Sequence, residues 1–184
     1  MILMSKEKVF IGIDNGILGA VAILSWNGKT IILHDMPIIQ KVLKGKTKRG
    51  NEKKRNVYDE VALAKIMRDI NEKYNIVEVL LEEAIAMPGQ ASTATGSTFG
   101  GYGFIKGVCA ALKLPYSVIH PRTWSVYYFK GNSGNDKSKS MQYAKQLFLE
   151  ADFMKGKNVH DGRTDAALIA EYSRRRYTMN LKGA

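Results

Sequence analysis

The sequence has very little cysteine, histidine and proline: one, three and four residues in a chain of 184. A single cysteine cannot form a disulfide within the chain, and no cluster of cysteine and histidine has the spacing of a zinc site. No apolar run reaches the ~18–20 residues of a membrane-spanning helix. The apolar stretch in the opening MILMSKEK is shorter than that of a signal peptide. These absences exclude a disulfide-stapled secreted module, a zinc module and a membrane protein.

Acidic residues are also scarce, 17 against 28 lysines and arginines, so the chain carries a formal net charge of +11. Two segments account for the whole excess: residues 41–55, with eight basic residues and one acid, and residues 172–184, with four basic residues and no acid. A neutral body with two basic segments is typical of a protein that binds a polyanion, because cations that neutralise phosphates release counterions. From charge alone, a solvated loop and a solubilising tail are the alternative.

The hydrophobic pattern predicts one α/β domain. Short apolar, β-branched runs predict strands at residues 9–13, 20–25, 30–35, 76–81 and 116–119, of which the first three form an antiparallel meander. Helical spacing of apolar residues predicts helices at 58–74, 101–113, 137–150 and 161–177. The polar segments between them predict a mobile basic loop at 40–56, a Gly/Ser/Thr-rich loop at 87–101 and a basic C-terminal tail at 174–184. The expected fold class is therefore a mixed five-stranded sheet flanked by helices.

Four acidic residues occupy positions where such a sheet carries chemistry. Asp14 and Glu82 each close an apolar strand, and open α/β sheets bind ligands beyond strand ends. Asp161 and Asp165 are four residues apart, on the helical face that also carries the apolar stripe of the last helix. Carboxylates that face a core are unfavourable without a partner, and Mg²⁺ prefers such oxygen ligands. Singly, each acid could shape a turn or cap a helix, but together they predict a metal site.

Several stretches, in order, resemble the RuvC-type Holliday junction resolvases, and most closely the phage and plant-organelle variants: FIGIDNGILGAVAIL, VLLEEAIAMPGQ, GGYGFIKGVCAALKLP, NDKSKSMQYAKQLF and HDGRTDAALIAEY. The resemblance spans about residues 8–173. It implies a single RNase H-like nuclease domain over residues 1–184, a homodimer formed through the helix at 101–113, and symmetric, paired nicks across a four-way DNA junction. It also implies two Mg²⁺ ions in each active site, which Mn²⁺ could replace.

The resemblance assigns roles to individual residues. It makes metal ligands of the four acids, Asp14, Glu82, Asp161 and Asp165. Lys137 matches a basic residue that is expected to position the scissile phosphate or to stabilise its charge. Glu83 departs from the family pattern, which usually has Gln there, and alternation along the strand turns Glu82 and Glu83 to opposite faces, so only one should bind metal.

Other residues are expected to contact the DNA. Ile85 and Met87 lie where some relatives have an aromatic wedge, and apolar side chains can also part stacked bases. Phosphate contacts are expected from the basic loop and from two cations outside it: Lys44, Lys46, Lys48, Arg49, Lys53, Lys54, Arg55, Arg122 and Lys139.

Other functions fit part of the pattern. An RNase H-like nuclease that processes structured RNA would need the same metal site, and recognition by shape leaves no short motif. Actin- or sugar-kinase-like ATPases begin with a similar I-G-I-D-x-G but are two-lobed and much longer. A non-catalytic DNA-binding module is disfavoured because four clustered acids repel phosphate. The expected setting is soluble and intracellular, in the cytoplasm or nucleoid of a bacterial or phage-infected cell, with a viral or organellar origin left open.

Overall fold

The computed structural model describes residues 5–46, 48–86, 89, 91–129, 137–156 and 158–182, without the side chains of residues 137, 138 and 180–182. The elements along the chain are β1 (Lys8–Asp14), β2 (Ala20–Ser25), β3 (Ile31–Asp35), β4 (Ile38–Lys46), β5 (Glu52–Tyr58), α1 (Glu60–Lys73), β6 (Asn75–Glu82), α2 (Ser92–Ala111), β7 (Tyr116–Ile119), α3 (Pro121–Phe129), α4 (Lys137–Leu147), β8 (Met154–Lys155), β9 (Asn158–Val159) and α5 (Asp161–Lys182). The predicted order is present, with additional elements after β3, after β7 and after α4.

The main sheet has five strands in the order β3-β2-β1-β6-β7. Strand β2 pairs antiparallel with both β1 and β3, whereas β6 pairs parallel with both β1 and β7. Short turns allow the first three strands to form a meander, and a crossover that contains a helix precedes each parallel strand. The predicted mixed sheet, three antiparallel strands followed by parallel additions, is confirmed.

Helices cover both faces of the sheet, which explains why its central strands are apolar along their length. On one face, Ile11 of β1 packs in a buried cluster with Leu63 of α1 and Ile105 of α2. On the other face, Leu80 of β6 packs in a cluster with Leu168 of α5. Helix α5 contacts β1, β2 and β6. Its first turns therefore lie near the ends of these strands.

Strands β4 and β5 form a two-stranded antiparallel ribbon, so the prediction of a loop without strands over 40–56 was wrong. Strands β4 and β5 pair from Ile38 and Tyr58 at the base to Lys46 and Glu52 near the tip. A half-buried strand is recognised by alternation of apolar and polar residues. The ribbon is exposed on both faces, so this alternation is missing from its sequence. We call β4, β5 and the segment that connects them the basic ribbon.

The basic C-terminal segment also differs from its prediction. Helix α5 continues to Lys182, where a tail was expected from residue 174. The arginines of this segment lie on the helix and pair with carboxylates, which compensates the charge that suggested a solvated tail. Among the described residues, no helix is both long enough and apolar enough to cross a membrane.

Two helices differ from the sequence pattern. Helix α2 begins at Ser92, inside the stretch 87–101 that was predicted to be a loop. The hydroxyls of Thr95 and Thr98 donate to backbone carbonyls four residues earlier, at 3.3 and 3.2 Å, so residues that often favour turns are accommodated in the helix. Helix α3 was not predicted, although its first residue, Pro121, is favoured at helix starts.

Candidate active site

Asp14 and Glu82 lie side by side at one edge of the main sheet. Each is the last residue of its strand, and the parallel register pairs the residues before them, Ile13 with Leu81. The Asp14 carboxylate accepts a hydrogen bond from the backbone N–H of Gly16 at 2.9 Å, which orients it. The two acids therefore occupy the carboxyl ends of adjacent parallel strands, where sheets of this class bind ligands.

Asp161 and Asp165 reach the same edge because α5 approaches β1 very closely. A Cβ on Gly12 would lie 2.2 Å from the carbonyl oxygen of Ala166, so the helix could not come this near to any other residue type. At the start of α5, a Cβ on Gly162 would lie 2.3 Å from a carbonyl oxygen of the turn between β1 and β2. These two glycines allow the first turns of α5 to dock beside the end of β1.

The four carboxylates form one electrostatically coupled group, which we call the acidic cluster: Asp14, Glu82, Asp161 and Asp165. Burial, followed by the charges of the other three members, raises the pKa of Asp165 to about 8. Burial, followed by the charge of Asp14, raises the pKa of Glu82 to about 7. Both effects have the same origin, because desolvation and nearby like charges disfavour the ionised form. The cluster therefore concentrates negative charge that the surrounding protein neutralises only in part.

Neutral donors from two helices orient two of these carboxylates. The indole Nε1 of Trp124, a buried residue of α3, donates to Oε1 of Glu82 at 2.8 Å. A hydrogen bond with the side chain of Ser140, in α4, acts on Asp165. Each of these bonds favours the charged form of its carboxylate and partly opposes the rise in pKa. Helices α3 and α4 thus each orient one carboxylate of the acidic cluster.

Asn15 ties the ends of β1 and β6 together. Its buried side-chain amide donates to the backbone carbonyl of Glu82 at 2.6 Å, and its own carbonyl accepts from the Tyr58 hydroxyl at 2.5 Å. Tyr58 is at the base of the basic ribbon, and its ring lies against Gly101 of α2, where a Cβ would come within 2.4 Å. Burial, with the charge of Asp14 second, raises the pKa of Tyr58 to about 12, so the phenol stays protonated. The ribbon, α2 and the acidic cluster therefore meet at this point.

Arg163 holds the start of α5. Its Nε donates to Oδ1 of Asp35, the last residue of β3, at 2.5 Å. Its Nη1 donates to the carbonyls of Asp152 and Met154 at 3.0 and 2.8 Å. The hydrogen bond from Arg163 is the main reason why the pKa of Asp35 is lowered. This charge-assisted network fixes the helix segment that carries two members of the acidic cluster.

The acidic cluster has the chemistry of a divalent-cation site. All of its donors are carboxylate oxygens, which Mg²⁺ and Mn²⁺ prefer, and a cation would relieve the repulsion among them. Within the described part of the chain, no three acidic, histidine or cysteine side chains form a ready-made metal cage. Mg²⁺ does not require one, because it keeps several waters and uses one or two carboxylates together with substrate phosphates. The residues present therefore fit such a cation.

Comparison with known proteins identifies a fold. No family model and no curated protein matches the chain. Matching solved structures include T. thermophilus RuvC in complex with a Holliday junction substrate (TM-score 0.54, 11% identity, 91% of this chain and 96% of that one). A second is Thermus thermophilus RuvC, with a TM-score of 0.50 and 14% identity over 91% of this chain and 96% of that one. A third is the yeast mitochondrial Holliday junction resolvase Ydc2, with a TM-score of 0.55 and 15% identity over 96% of this chain and 83% of that one. The chain has the RuvC fold. This confirms the fold that the resemblance implied.

Within the RuvC fold of this chain, Glu82 and Glu83 point to different sides. Glu82 interacts with Asp14, whereas Glu83 is exposed and its charge acts on Tyr102 of α2. The structure therefore brings Glu82, and not Glu83, into the acidic cluster. Ile85, a predicted wedge residue, is exposed three residues after the end of β6. Two other predicted positions, Met87 and the side chain of Lys137, lie outside the described residues.

The predicted DNA-binding cations occupy two regions. The cations of the basic ribbon are all exposed: Lys44, Lys46, Lys48, Arg49, Lys53, Lys54 and Arg55. Arg122 is exposed in the first turn of α3, two residues before Trp124. Lys139 is half-buried in the first turn of α4, next to Ser140. These last two cations thus belong to the two helices whose Trp124 and Ser140 contact the acidic cluster.

Sequence reasoning missed the residues that hold the acidic cluster in place. No role in the site was predicted for Trp124, Tyr58 or Arg163. The hydrogen-bond partners of Tyr58 and Arg163 are 43 and 128 residues away, so no local pattern reveals them. One signal was present: Gly12 interrupts an apolar strand, and such a glycine often marks the close approach of another backbone.

Proposed function

We propose that this protein is a divalent-metal-dependent endonuclease that resolves four-way DNA junctions by paired, symmetric nicks. The proposal is carried by one observation, the convergence of the acidic cluster from β1, β6 and α5 at one edge of a RuvC fold. One structure with this fold is described as a complex with a Holliday junction substrate, and another as a Holliday junction resolvase. We extend that substrate and that reaction to this chain.

In this proposal the acidic cluster holds two Mg²⁺ ions, with Mn²⁺ able to replace them. Ions bound there would activate water and stabilise the leaving oxygen of an in-line phosphodiester displacement. The protein's own contribution is orientation. Trp124 and Ser140 hold Glu82 and Asp165 by hydrogen bonds, and Arg163 holds the start of the helix that carries Asp161 and Asp165. Fixed ligands of this kind need little rearrangement when substrate arrives.

Phosphates approach an acidic cluster only where cations offset its repulsion. Arg122 and Lys139, in the first turns of α3 and α4, would supply this charge beside the cluster. Lys137, the first residue of α4, would position the scissile phosphate. Ile85 and Met87, which follow β6, would part bases at the centre of the junction. The basic ribbon would add phosphate contacts farther away.

Paired nicks require two active sites, because a four-way junction has twofold symmetry and one chain supplies one acidic cluster. Helix α2 offers a surface for a second copy. A Cβ on any of four glycines spaced at intervals of three or four residues along it would meet no atom of the described residues within 4 Å: Gly96, Gly100, Gly103 and Gly107. Each glycine lowers helix stability by about 1 kcal/mol relative to alanine, so an exposed row favours close approach of another helix. Gly101 has a different role, since the Tyr58 ring fills its space.

Cleavage of a four-way DNA junction, compared with linear duplex DNA and with structured RNA, tests the function. We expect paired nicks in the junction, lost in EDTA and restored by Mg²⁺ or Mn²⁺. Glu82→Gln should abolish cleavage and retain junction binding, whereas the matched control Glu83→Gln should cleave normally. Cleavage of RNA in place of the junction would assign the protein to RNA processing. An active Glu82→Gln with an inactive Glu83→Gln would move the metal ligand by one strand position.

Sedimentation of Gly107→Arg tests the dimer. We expect a folded monomer that binds DNA weakly and does not resolve junctions, because the arginine side chain keeps the two helices apart. Val61→Arg introduces the same side chain on α1, at a residue that is 82% exposed, and should remain a dimer. A dimeric and fully active Gly107→Arg would place the interface on another surface.

A further inference from the structure

The basic ribbon is a separate two-stranded sheet that is attached to the rest of the protein at its base. There, the Tyr58 hydroxyl donates to Asn15, and the Tyr58 ring lies against Gly101. Beyond this base the side chains are mostly exposed, including Ile39 and Val42, at 52% and 54%. An isolated two-stranded hairpin is only marginally stable in water. A surface that covers one face of the ribbon would therefore stabilise it.

The register of the ribbon places like charges opposite one another. Lys41 is paired directly with Arg55, and Lys53, two residues before Arg55, lies on the same face. In the part of the chain that the structure describes, no carboxylate pairs with any of these three cations. Like charges at directly opposite positions destabilise a hairpin. A polyanion along this face would replace that repulsion with attraction.

We propose that the cationic face of the ribbon, formed by Lys41, Lys53 and Arg55, lies along the phosphates of a duplex DNA arm. This inference rests on the proposed function, and it names the part of the substrate that the ribbon contacts. From Ile38 at the base to Lys46 near the tip, β4 spans about 26 Å at ~3.3 Å per residue, which corresponds to roughly eight base pairs.

The shape of the ribbon agrees with this partner. A two-stranded ribbon is narrow enough to enter the major groove of duplex DNA. Its base lies at the strand ends that carry Asp14 and Glu82, so the ribbon would follow one arm outward from the point of cleavage. Contacts between cations and phosphates carry no sequence information. The contribution of the ribbon to binding should therefore depend on salt and on arm length, and not on the sequence of the arm.

Two charge-matched variants test the contact by fluorescence anisotropy in EDTA, where nothing is cleaved. One combines Lys41→Gln, Lys53→Gln and Arg55→Gln. The control combines Lys29→Gln, Lys73→Gln and Lys113→Gln, three exposed cations next to the ends of strands at the opposite edge of the sheet. Each phosphate contact adds about 0.9 to the slope of log K against log salt. The cationic-face variant should lose about 2.7 from this slope, and the control should keep it.

This difference in slope predicts a difference in affinity. When salt rises from about 50 to about 200 mM, the DNA affinity of wild type should fall about 40-fold more than that of the cationic-face variant. Junctions with arms of about 5 and about 15 base pairs add a second measurement, since only the longer arm reaches the ribbon tip. Wild type should prefer the long arms, and the variant should lose only the part of this preference that Lys41, Lys53 and Arg55 supply, because the cations at the tip remain. Arg55→Gln alone repeats the salt titration with the smallest change to the ribbon, and its salt slope should fall by about 0.9.

An unchanged salt slope, or a loss that is independent of arm length, would overturn the inference even if the protein resolves junctions. If the variant loses both salt slope and preference for long arms but the wild-type protein cuts no junction, the ribbon contact is supported and only the proposed nuclease function is refuted. If RNA duplexes bind more tightly than DNA through the same three residues, DNA is the wrong partner. Circular dichroism of each variant confirms that the losses do not come from unfolding.

Discussion

The chain carries its surplus positive charge in two segments, and the structure uses them in opposite ways. On the basic ribbon, Lys41 and Arg55 face one another with no carboxylate partner among the described residues. On α5, the three arginines of the other segment pair with carboxylates: Arg174, Arg175 and Arg176. The number of charges in a segment therefore does not tell whether those charges are available to a ligand.

The acids that neutralise the α5 arginines are largely buried. Glu171, 3% exposed, accepts from Arg174 at 2.6 and 2.8 Å and from Arg175 at 2.6 Å. Glu78 of β6 accepts from Arg176 at 2.5 Å. A buried charge that loses its partner is strongly destabilising, whereas exposed charges contribute little to stability. Arg174, Arg175 and Arg176 thus contribute to folding, whereas the cations of the ribbon are exposed.

The largest effect on stability should come from α5. Replacing Arg174 and Arg175 together by Met keeps their aliphatic bulk but leaves Glu171 buried without a cation, so the free energy of unfolding should fall by about 3–5 kcal/mol. The salt dependence of DNA binding should not change. Urea denaturation and anisotropy titrations measure the two quantities. If the salt slope instead fell by about 1.8, these arginines would contact phosphate and the contrast with the ribbon would disappear.

The tip of the ribbon should show the reverse pattern. Changing Lys44, Lys46, Lys48 and Arg49 to Gln should weaken binding to all DNA and lower the salt slope by up to about 3.6. The free energy of unfolding should stay within about 0.5 kcal/mol of wild type, because all four side chains are exposed. The preference for junctions over linear duplex should persist, since phosphate contacts supply affinity. A salt slope equal to that of wild type would mean that the tip stays in solvent in the complex.

A smaller effect is expected where the ribbon meets the acidic cluster. Tyr58→Phe removes the hydroxyl that donates to Asn15 and keeps the ring that packs on Gly101, so the free energy of unfolding should fall by about 1 kcal/mol. DNA affinity and its salt slope should be unchanged because no charge is lost. The single-turnover cleavage rate should fall several-fold, since Asn15 also holds the backbone of Glu82. A normal rate would show that this contact has no influence on the cluster.

The smallest effect is expected in the pH dependence of stability. A cation paired with a carboxylate should contribute to this dependence, and an exposed cation of the ribbon should not. Arg163 lowers the pKa of Asp35, so this pair stabilises the fold above the unfolded pKa of Asp35 and loses that contribution as the pH falls through the lower, folded pKa. In thermal melts, lowering the pH from about 5 to about 2 should reduce the free energy of unfolding of wild type by up to about 1 kcal/mol more than that of Asp35→Asn. Lys53→Gln should follow wild type. Identical curves for wild type and Asp35→Asn would argue against the pair.

Much of the fold and of the candidate site was predictable from local pattern. The apolar runs at 9–13 and 76–81 lie within β1 and β6, and both end at the acids that the pattern singled out. The basic ribbon was not predictable, because exposure of both faces removes the alternation on which strand prediction depends. The start of α2 was hidden for a related reason, since its serines, threonines and glycines are typical of loops.

The sequence by itself determined the five strands of the main sheet, the acids that follow two of them, and the shared helical face of Asp161 and Asp165, because these features depend on residues that are close along the chain. Only the tertiary structure decided which cations are neutralised. Glu78 and Arg176 are 98 residues apart, and no local pattern relates them. It also decided that α5 docks on β1 at Gly12, which brings the four carboxylates together. Contacts of this kind depend on how complete elements pack, and that packing is a property of the whole fold.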